Sequence, residues 1–513
     1  MVFHSFSYLL FFPIVFIIYY LIPKKGRFLW LLAASYFFYG CADIRYAILL
    51  LAVTLLAYIS GLLMDKAITL QKVSASEKAS ALHKMTLSKS ILLATLFCNL
   101  GILGYFKYTN FLLDNLNKFM TLLSVDKQFA PIDGLLTLGI SFIMFQSISY
   151  TVDVYRGELP AEKNILKFAL YLAFFPKLIS GPIERAGNIL KQIHEPKNFS
   201  LPKFKEGLSL ILLGLFYKLV LSDNIAAIIN PVFATYHDYS GLEIVLAVVL
   251  FAFQIYGDFG GYSLMAIGSA KALGFELSIN FDAPYHAESV AEFWRRWHIT
   301  LNNWLRDYLY IPLGGNRKGT ARKYLNTMIV FLVSGLWHGA DWSFVIWGGL
   351  NGFYIVMEGI AKQLRSRSNS VTTGKSAQAY SASVPFSTHL RRKITTFILV
   401  DFAWLFFCMP DVKSAFGMIC HAITSPGIRD LFNCGFLGIF PDMTSLVVIF
   451  AALFILLFAD SIIYKQKTTF QSLFFRQSSA FRWIFGIILL TMIIFFGAYG
   501  ESYEQTQFIY FQF

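Results

Sequence analysis

Two histidines, His298 and His338, lie among tryptophans within residues 292–347 of a chain that is otherwise rich in apolar segments. An ionisable side chain at membrane depth costs free energy, so such a residue is a candidate for function. A neutral imidazole, whose ordinary pKa is about 6.5, can accept a proton at physiological pH and is the commonest general base. The pair therefore indicates proton-transfer chemistry within or beside a membrane.

The segment around His298 has the spacing of an amphipathic helix. Laid on one continuous helix, residues 294–308 place an apolar and aromatic stripe at spacings of three and four. The stripe consists of Trp294, Trp297, His298, Leu301, Trp304, Leu305 and Tyr308. Arg295, Asn302 and Arg306 fall on another side, where arginines are predicted to meet carbonyls, carboxylates or an anionic ligand. The alternative is an interfacial helix whose arginines reach the lipid headgroups while its tryptophans anchor it.

His338 closes an apolar segment that follows the basic run at residues 317–323. A straight helix rises about 1.5 Å per residue, which predicts His338 roughly 22 Å inward from the end of that run. The hydrocarbon core of a bilayer is about 30 Å thick. Gly335 and Gly339 flank the histidine and allow close approach of another backbone or a ligand. Generic packing of a lone membrane histidine is the alternative, and the neighbouring Asp341 and tryptophans favour a functional site.

The composition indicates the class of protein in which these histidines lie. Hydrophobic residues make up 56% of the 513 residues and charged residues only 14%, which is far from the average soluble protein. Apolar windows near the length of a spanning helix lie at residues 7–22, 28–39, 46–63, 90–105, 135–152, 208–221, 242–255, 324–337, 344–357, 394–408, 445–463 and 483–499. They predict an all-α polytopic membrane protein with roughly 11 crossings, plus shorter re-entrant or interfacial helices.

The net charge of +13 has a membrane explanation rather than a nucleic-acid one. Lys and Arg gather in connections between the apolar windows, as the positive-inside rule describes for cytoplasmic loops. These clusters lie at residues 24–27, 66–89, 317–323, 362–393 and 465–482. We therefore expect a multi-pass protein of the cytoplasmic (inner) membrane, with the lipid bilayer and no nucleic acid among its partners.

The polar inserts predict the domain organisation. Residues 362–393 are rich in Ser, Thr and basic residues and are typical of a flexible cytoplasmic linker. We expect a main catalytic bundle at residues 1–361, with both histidines, and C-terminal membrane helices at residues 394–513. The five cysteines show neither CxxC nor CxxxC spacing, so no metal site or disulfide framework is predicted.

Six motifs, taken together and in order, resemble the signature of the membrane-bound O-acyltransferase superfamily, specifically its bacterial alginate O-acetyltransferase branch. They are FPKLISGPIER at residues 175–185, QIYGDFGGYS at 254–263, NFDAPY at 280–285, the segment 294–308, IPLGGNR at 311–317 and SGLWHG at 334–339. Any one of them alone would be weak evidence. Leu264 replaces a usual acid, Asp282 a frequent Asn, and Asn302-Asn303 a usual Ser-Thr, and these departures bear on the acceptor more than on acyl transfer.

The resemblance implies a fold, a reaction and partners. It implies membrane helices around a central funnel, with His338 as the general base and His298 as the second histidine of the site. The co-substrate is then an acyl thioester, either acetyl-coenzyme A or an acyl group on a carrier phosphopantetheine, with no tightly bound cofactor. The acceptor is then a hydroxyl of a cell-envelope polysaccharide, and a separate extracytoplasmic partner of the SGNH esterase-like kind assists.

These residues give a mechanistic hypothesis. The donor presents its thioester from the cytoplasmic side, where Arg295, Arg296 and Arg306 are candidate contacts for its anionic parts. His338 deprotonates the attacking hydroxyl, while His298 orients a reactant or assists proton transfer. Further candidate substrate-binding residues are Gln254, Tyr256, Asp258, Trp294, Asn303 and Trp337. For Tyr256 and Asp258 the alternative is polar packing between membrane helices.

Three other functions stay open at this point. One is D-alanyl transfer from a carrier protein to teichoic acid, which the same superfamily performs. Another is a lipid or polysaccharide transporter whose histidines relay protons, and the third is a catalytically idle scaffold. The mass of the acyl adduct separates acetyl from alanyl transfer, and release of free thiol separates a transferase from a transporter.

Overall fold

The computed structural model describes residues 1–73, 78–134, 138–372 and 385–499, and these form helices and connections with no strand among them. Seven helical stretches in this part of the chain are long and apolar enough to cross a membrane. They are Ile44–Leu70, Leu87–Leu122, Leu201–Ala234, Gly241–Ala272, Trp342–Ser366, Met443–Gln466 and Ser479–Phe496. The predicted all-α polytopic membrane protein is confirmed, whereas the predicted count of roughly 11 crossings is not.

The first of two compact units comprises Met1–Ile211 and Tyr262–Ser278. Its helices are α1 (Phe6–Leu21), α2 (Arg27–Gly40), α3 (Ile44–Val73), α4 (Lys78–Leu103), α5 (Thr109–Leu122), α6 (Ile140–Arg156), α7 (Ile165–Ala173), α8 (Phe175–Leu178), α9 (Ala186–His194), most of α10 (Leu201–Leu215) and the end of a helix that spans Gly241–Ala272. The π-helical turn Gly104–Tyr108 joins α4 to α5. Within this unit α3 packs against α4 and α6, and α2 packs against α7.

The second unit comprises Leu212–Gly261 and the described part of Ile279–Phe513. Its helices are α11 (Asp223–Ala234), most of α12 (Gly241–Ala272), α13 (Val290–Arg296), α14 (Ile299–Leu305), α15 (Thr320–His338), α16 (Trp342–Thr372), α17 (Phe386–Cys408), α18 (Val412–Thr424), α19 (Ile428–Asn433), α20 (Met443–Gln466), α21 (Phe470–Arg476) and α22 (Ser479–Phe496). Here α15 packs along α16, and α16 packs against α17. Every candidate site residue lies in this unit.

Several helices begin where the sequence supplies a capping side chain. Asn164 accepts hydrogen bonds from two backbone N–H groups of α7, and Asp411 accepts one from Ser414 in α18. Asp442 does the same for α20 through the N–H of Ser445. The first N–H groups of a helix have no partner within the helix, so a side-chain oxygen at this position stabilises its start.

Helices extend into both ends of the predicted linker at residues 362–393. Residues 362–372 continue α16, and residues 386–393 already belong to α17. Lys, Gln, Leu and Arg in this stretch are good helix formers, which explains why the helix extends past residue 362. Residues 373–384 lie outside the described part of the chain, and the division into segments 1–361 and 394–513 stays a prediction.

Candidate active site

The segment around His298 forms two short helices, so the prediction of one continuous helix was wrong. The helices α13 and α14 are separated at Trp297 and His298. His298 has a φ of 44°, in the left-handed region that residues with a Cβ seldom occupy. The predicted burial pattern is confirmed, since Arg295 and Arg306 are exposed while the stripe is buried except at Tyr308, which is half-buried.

Two asparagines hold this break in place. The side-chain amide of Asn302 donates to the carbonyl oxygens of Trp294 at 2.7 Å and Trp297 at 2.6 Å. The carbonyl of Asn280 accepts from the N–H of Ile299 at 3.0 Å, and its side-chain oxygen accepts from the Thr300 hydroxyl at 2.6 Å. Strained backbone persists where surrounding bonds over-determine it, and it concentrates at functional sites. The NFDAPY motif thus supports the conformation of His298.

Helix α16 orients the start of α13. The Glu358 carboxylate accepts from the N–H groups of Val290 at 2.6 Å and Ala291 at 3.1 Å. A carboxylate at a helix N-terminus satisfies these donors and is favoured by the helix dipole. Closer to the start of α16, the Asn351 side-chain oxygen accepts from the Trp294 indole N–H at 3.0 Å. These bonds set the position of the aromatic stripe relative to α16.

His338 is the last residue of α15, and its side chain is buried. The predicted close approach at Gly335 is confirmed, because a Cβ there would overlap the backbone carbonyl of Phe344. At Gly339 a Cβ would overlap the ring of the same phenylalanine. Asp341 accepts a hydrogen bond from the N–H of Ser343 at 2.8 Å, so its carboxylate stabilises the start of α16.

Both histidines belong to one aromatic cluster centred on Trp337. The indole ring centre of Trp337 lies 4.7 Å from the His338 ring and 6.1 Å from the His298 ring. The His338 ring centre also lies 4.9 Å from that of Trp347, and the His298 ring centre lies 4.7 Å from that of Phe259. The tertiary structure thus brings together two imidazoles that are 40 residues apart in the sequence.

Burial sets the protonation state of His298, which lies outside the candidate membrane spans. The side chain is 0% exposed, and desolvation lowers its pKa to about 3. A low-dielectric surrounding disfavours the charged imidazolium, so the ring is neutral at physiological pH. A neutral imidazole can accept a proton through one nitrogen and donate through the other.

We expect His298 to make the folded protein acid-sensitive. Below pH 6.5 the unfolded chain protonates this ring while the folded chain, with a pKa of about 3, does not. Proton binding by the unfolded state alone lowers the free energy of unfolding as the pH falls, by up to about 2 kcal/mol between pH 7 and pH 5. Thermal denaturation of the purified protein in detergent at both pH values measures this loss.

The matched controls are two single substitutions. His298→Gln should lose less stability than the wild type on acidification, because the titrating ring is gone. His389→Gln removes a half-exposed histidine that pairs with Glu288, so it should keep the wild-type acid sensitivity of the buried cluster. Equal losses in the wild type and His298→Gln would contradict the assignment.

The QIYGDFGGYS residues have mainly structural contacts. The Tyr256 hydroxyl donates to the Asp460 carboxylate at 3.0 Å, and its ring lies 5.9 Å from Trp297. The Asp258 carboxylate lies 2.7 Å from the Lys218 ammonium within a buried ion pair. Gln254 is buried, with 9% of its surface exposed. The pairing of Asp258 favours the alternative of polar packing between helices.

The three arginines differ in their surroundings. Arg296 forms ion pairs with Asp282 at 2.8 Å and Glu292 at 3.0 Å. Arg306 pairs with its neighbour Asp307 at 2.8 Å, and 58% of its side chain is exposed. Arg295 is exposed, and Asn303 is half-buried. Their contact with a donor stays a prediction. The exposed Arg295 and Arg306 suit it better than Arg296, which is less exposed and already pairs with two carboxylates.

The C-terminal helices also contribute side chains to the aromatic cluster, which the sequence did not predict. The ring centre of Phe407 in α17 lies 5.5 Å from that of His338, and the ring centre of Trp404 in the same helix lies 5.2 Å from that of Trp297. Asp460 of α20 is 3% exposed and accepts from Tyr256. The rule that marks intramembrane ionisable residues as functional would have selected Asp460. No comparable signal distinguishes Trp404 from other aromatic residues.

Known proteins are similar in sequence to this chain. A sequence model of the membrane-bound O-acyltransferase family matches residues 38–390. A probable alginate O-acetylase of Azotobacter vinelandii is 42% identical over 359 residues, which cover 70% of this chain and 68% of that protein. A probable alginate O-acetylase of Pseudomonas syringae pv. tomato is 36% identical over 457 residues, which cover 88% and 81%. The peptidoglycan O-acetyltransferase of Helicobacter pylori is 32% identical over 434 residues, which cover 80% and 75%.

Proposed function

Because this chain belongs to the membrane-bound O-acyltransferase family and is a membrane-bound O-acyltransferase, we propose that it acetylates hydroxyls of a cell-envelope polysaccharide. The observation that carries this proposal is the burial of His298 and His338 around one indole. Relatives named for alginate and peptidoglycan O-acetylation support both the acetyl group and a polysaccharide acceptor. The enzyme works in the cytoplasmic membrane.

The reaction needs one proton acceptor at the attacking oxygen. His338 takes the hydroxyl proton while that oxygen bonds to the thioester carbonyl carbon. The C–S bond then breaks, the ester is released, and the sulfur leaves as a thiol after receiving the proton. Because α15 ends at His338, the imidazole is held by the helix on one side and by the aromatic cluster on the other. His298, neutral in its buried position, orients a reactant or assists this transfer.

The donor is an acyl thioester, acetyl-coenzyme A or an acetylated phosphopantetheine carrier, that approaches from the cytoplasmic side. The exposed Arg295 and Arg306 are available to its phosphates, since guanidinium groups bind phosphate through paired hydrogen bonds. Trp294, Asn303 and Trp337 are the further proposed contacts of the reactants. An extracytoplasmic partner of the SGNH esterase-like kind assists when the acceptor is the intact polymer.

Free-thiol release tests this function directly. The full-length protein in liposomes should release free thiol from acetyl-coenzyme A or acetyl-phosphopantetheine only when oligosaccharides of alginate or peptidoglycan are present. The oligosaccharide should gain one acetyl mass per thiol released. Transport of oligosaccharide without any thiol release would contradict the transferase. A D-alanyl adduct formed from an alanyl-loaded carrier, with no acetyl adduct, would instead favour teichoic acid alanylation.

A further inference from the structure

A cationic cavity of about 270 Å³ lies in the first compact unit, apart from the residues of the proposed reaction. Its lining includes five cationic side chains: Lys24, Lys25, Arg27, Lys167 and Lys197. Glu195 is the carboxylate among the lining residues. Pockets for whole drug-sized ligands span about 300–1,000 Å³, so this cavity suits a small anionic group rather than a large molecule.

Arg27 contributes a permanent positive charge to the wall of the cavity, and backbone carbonyls hold it in position. Its guanidinium donates to the backbone carbonyls of Ile22 at 3.0 Å, Tyr20 at 3.1 Å and Lys197. It also lies 5.3 Å from the ring centre of Tyr19. Carbonyl oxygens and aromatic faces orient a cation without neutralising it. The position of the guanidinium is therefore set in advance of any ligand.

A second cation of the wall, Lys167, contacts an imidazole. Its ammonium lies 2.8 Å from His194 Nδ1, and His194 Nε2 lies 2.6 Å from the Glu162 carboxylate. This arrangement places a ring N–H at Nε2, facing the carboxylate, and leaves Nδ1 to accept from the lysine ammonium. The carboxylate is thus bound to the imidazole, and the lysine charge can attract an anion in the cavity.

Lys197 and the apolar lining complete the cavity. The Lys197 ammonium lies 3.3 Å from Glu195 and 5.6 Å from the ring centre of Phe275. This ion pair is weak because half of the glutamate side chain is exposed to solvent. Phe28 and Leu31 contribute apolar surface beside the cations. The cavity therefore combines excess positive charge with apolar walls.

The neighbouring surface favours a lipid as the occupant. Leu21 is 77% exposed, Leu29 is 45% exposed, and Leu166, next to Lys167, is 45% exposed. Lys24 and Lys25 belong to a basic cluster predicted on the cytoplasmic side, where anionic lipids are concentrated and basic pockets between helices bind their headgroups. We propose that this cavity binds the phosphate of an anionic phospholipid, with the acyl chains along these exposed leucines.

Native mass spectrometry of the full-length protein in detergent tests the site. The probes are dioctanoyl phosphatidylglycerol and dioctanoyl phosphatidylcholine, which share acyl chains and differ in net charge. We expect the wild type to bind phosphatidylglycerol at least tenfold more tightly. The triple variant Lys25→Gln/Lys167→Gln/Lys197→Gln should lose this preference. The matched variant Lys465→Gln/Lys467→Gln/Arg476→Gln removes three exposed basic residues elsewhere and should keep it.

Three results would overturn the proposal. They are equal affinity of the wild type for both lipids, an unchanged preference in the triple variant, and displacement of phosphatidylglycerol by an equal concentration of coenzyme A. The last result would assign the cavity to a soluble phosphate compound instead. If the triple variant does not fold, Lys25→Gln, which changes one exposed side chain, should still weaken phosphatidylglycerol binding at least twofold, and unchanged binding would also overturn the proposal.

Discussion

Replacing His338 by glutamine should lower the rate of acetyl transfer by about a thousand-fold, the size expected for loss of a general base. Glutamine fills much of the imidazole volume and keeps hydrogen-bonding groups, but it does not accept a proton at neutral pH. The contacts of His338 with Trp337 and Trp347 should therefore lose little packing. The measurement is thiol release at saturating donor and acceptor.

The control for this substitution is His421→Gln. His421 is half-buried on α18 and contacts the Tyr239 carbonyl at 3.1 Å, without contact to the aromatic cluster among the described ring pairs. This variant should transfer acetyl at the wild-type rate. A folded His338→Gln protein with the wild-type rate would exclude His338 as the base. Equal thermal midpoints of the two variants would show that the rates compare folded molecules.

Replacing Gly348 by alanine should destabilise the protein by about 3 kcal/mol, at the upper end of the usual range for overpacking. A Cβ at Gly348 would overlap the backbone carbonyl of Phe331, and it would also approach the Cα of Gly335. A carbonyl within a helix cannot move as a flexible side chain can, so α15 and α16 must separate. Because His338 ends α15, this separation also displaces the proposed base, and acetyl transfer should fall.

The adjacent glycine provides the matched control. A Cβ at Gly349 would meet only the Leu332 side chain, at 3.6 Å, which is ordinary van der Waals contact. Alanine also has a higher helix propensity than glycine. Gly349→Ala should therefore leave the thermal midpoint unchanged or raise it, and activity should persist. Equal thermal midpoints for Gly348→Ala and Gly349→Ala would show that the close approach of α15 to α16 does not stabilise this part of the site.

Local sequence patterns predicted the burial around His298 but not the backbone there. A spacing of three and four reports which side chains share a face, and that face is preserved across the two short helices. The break depends on Asn280, whose backbone and side chain bond to residues just beyond His298. A helical pattern carries no information about a partner 18 residues away in the chain.

For the buried charges too, the sequence predicted which residues are unusual but not which partners they contact. Asp258 was a candidate substrate-binding residue, because a carboxylate in an apolar segment costs free energy and is often functional. Its partner Lys218 lies 2.7 Å away, and only the packing of helices in three dimensions selects this partner among many cations. The same rule selects Asp460 from the sequence, but it does not predict that Asp460 accepts a hydrogen bond from Tyr256.

Composition and ordered motifs are properties of the chain, so the membrane class, the all-α fold and the family could be predicted from them. The sequence also indicated that His298 and His338 merit a chemical role, since ionisable groups are rare among apolar segments. Helix packing, in contrast, brings both rings to Trp337 and places His298 at a break between two helices. It also brings Phe407 and Asp460 to the cluster from distant helices. Contacts between residues far apart in the chain depend on how whole helices pack, and local periodicity does not encode that packing.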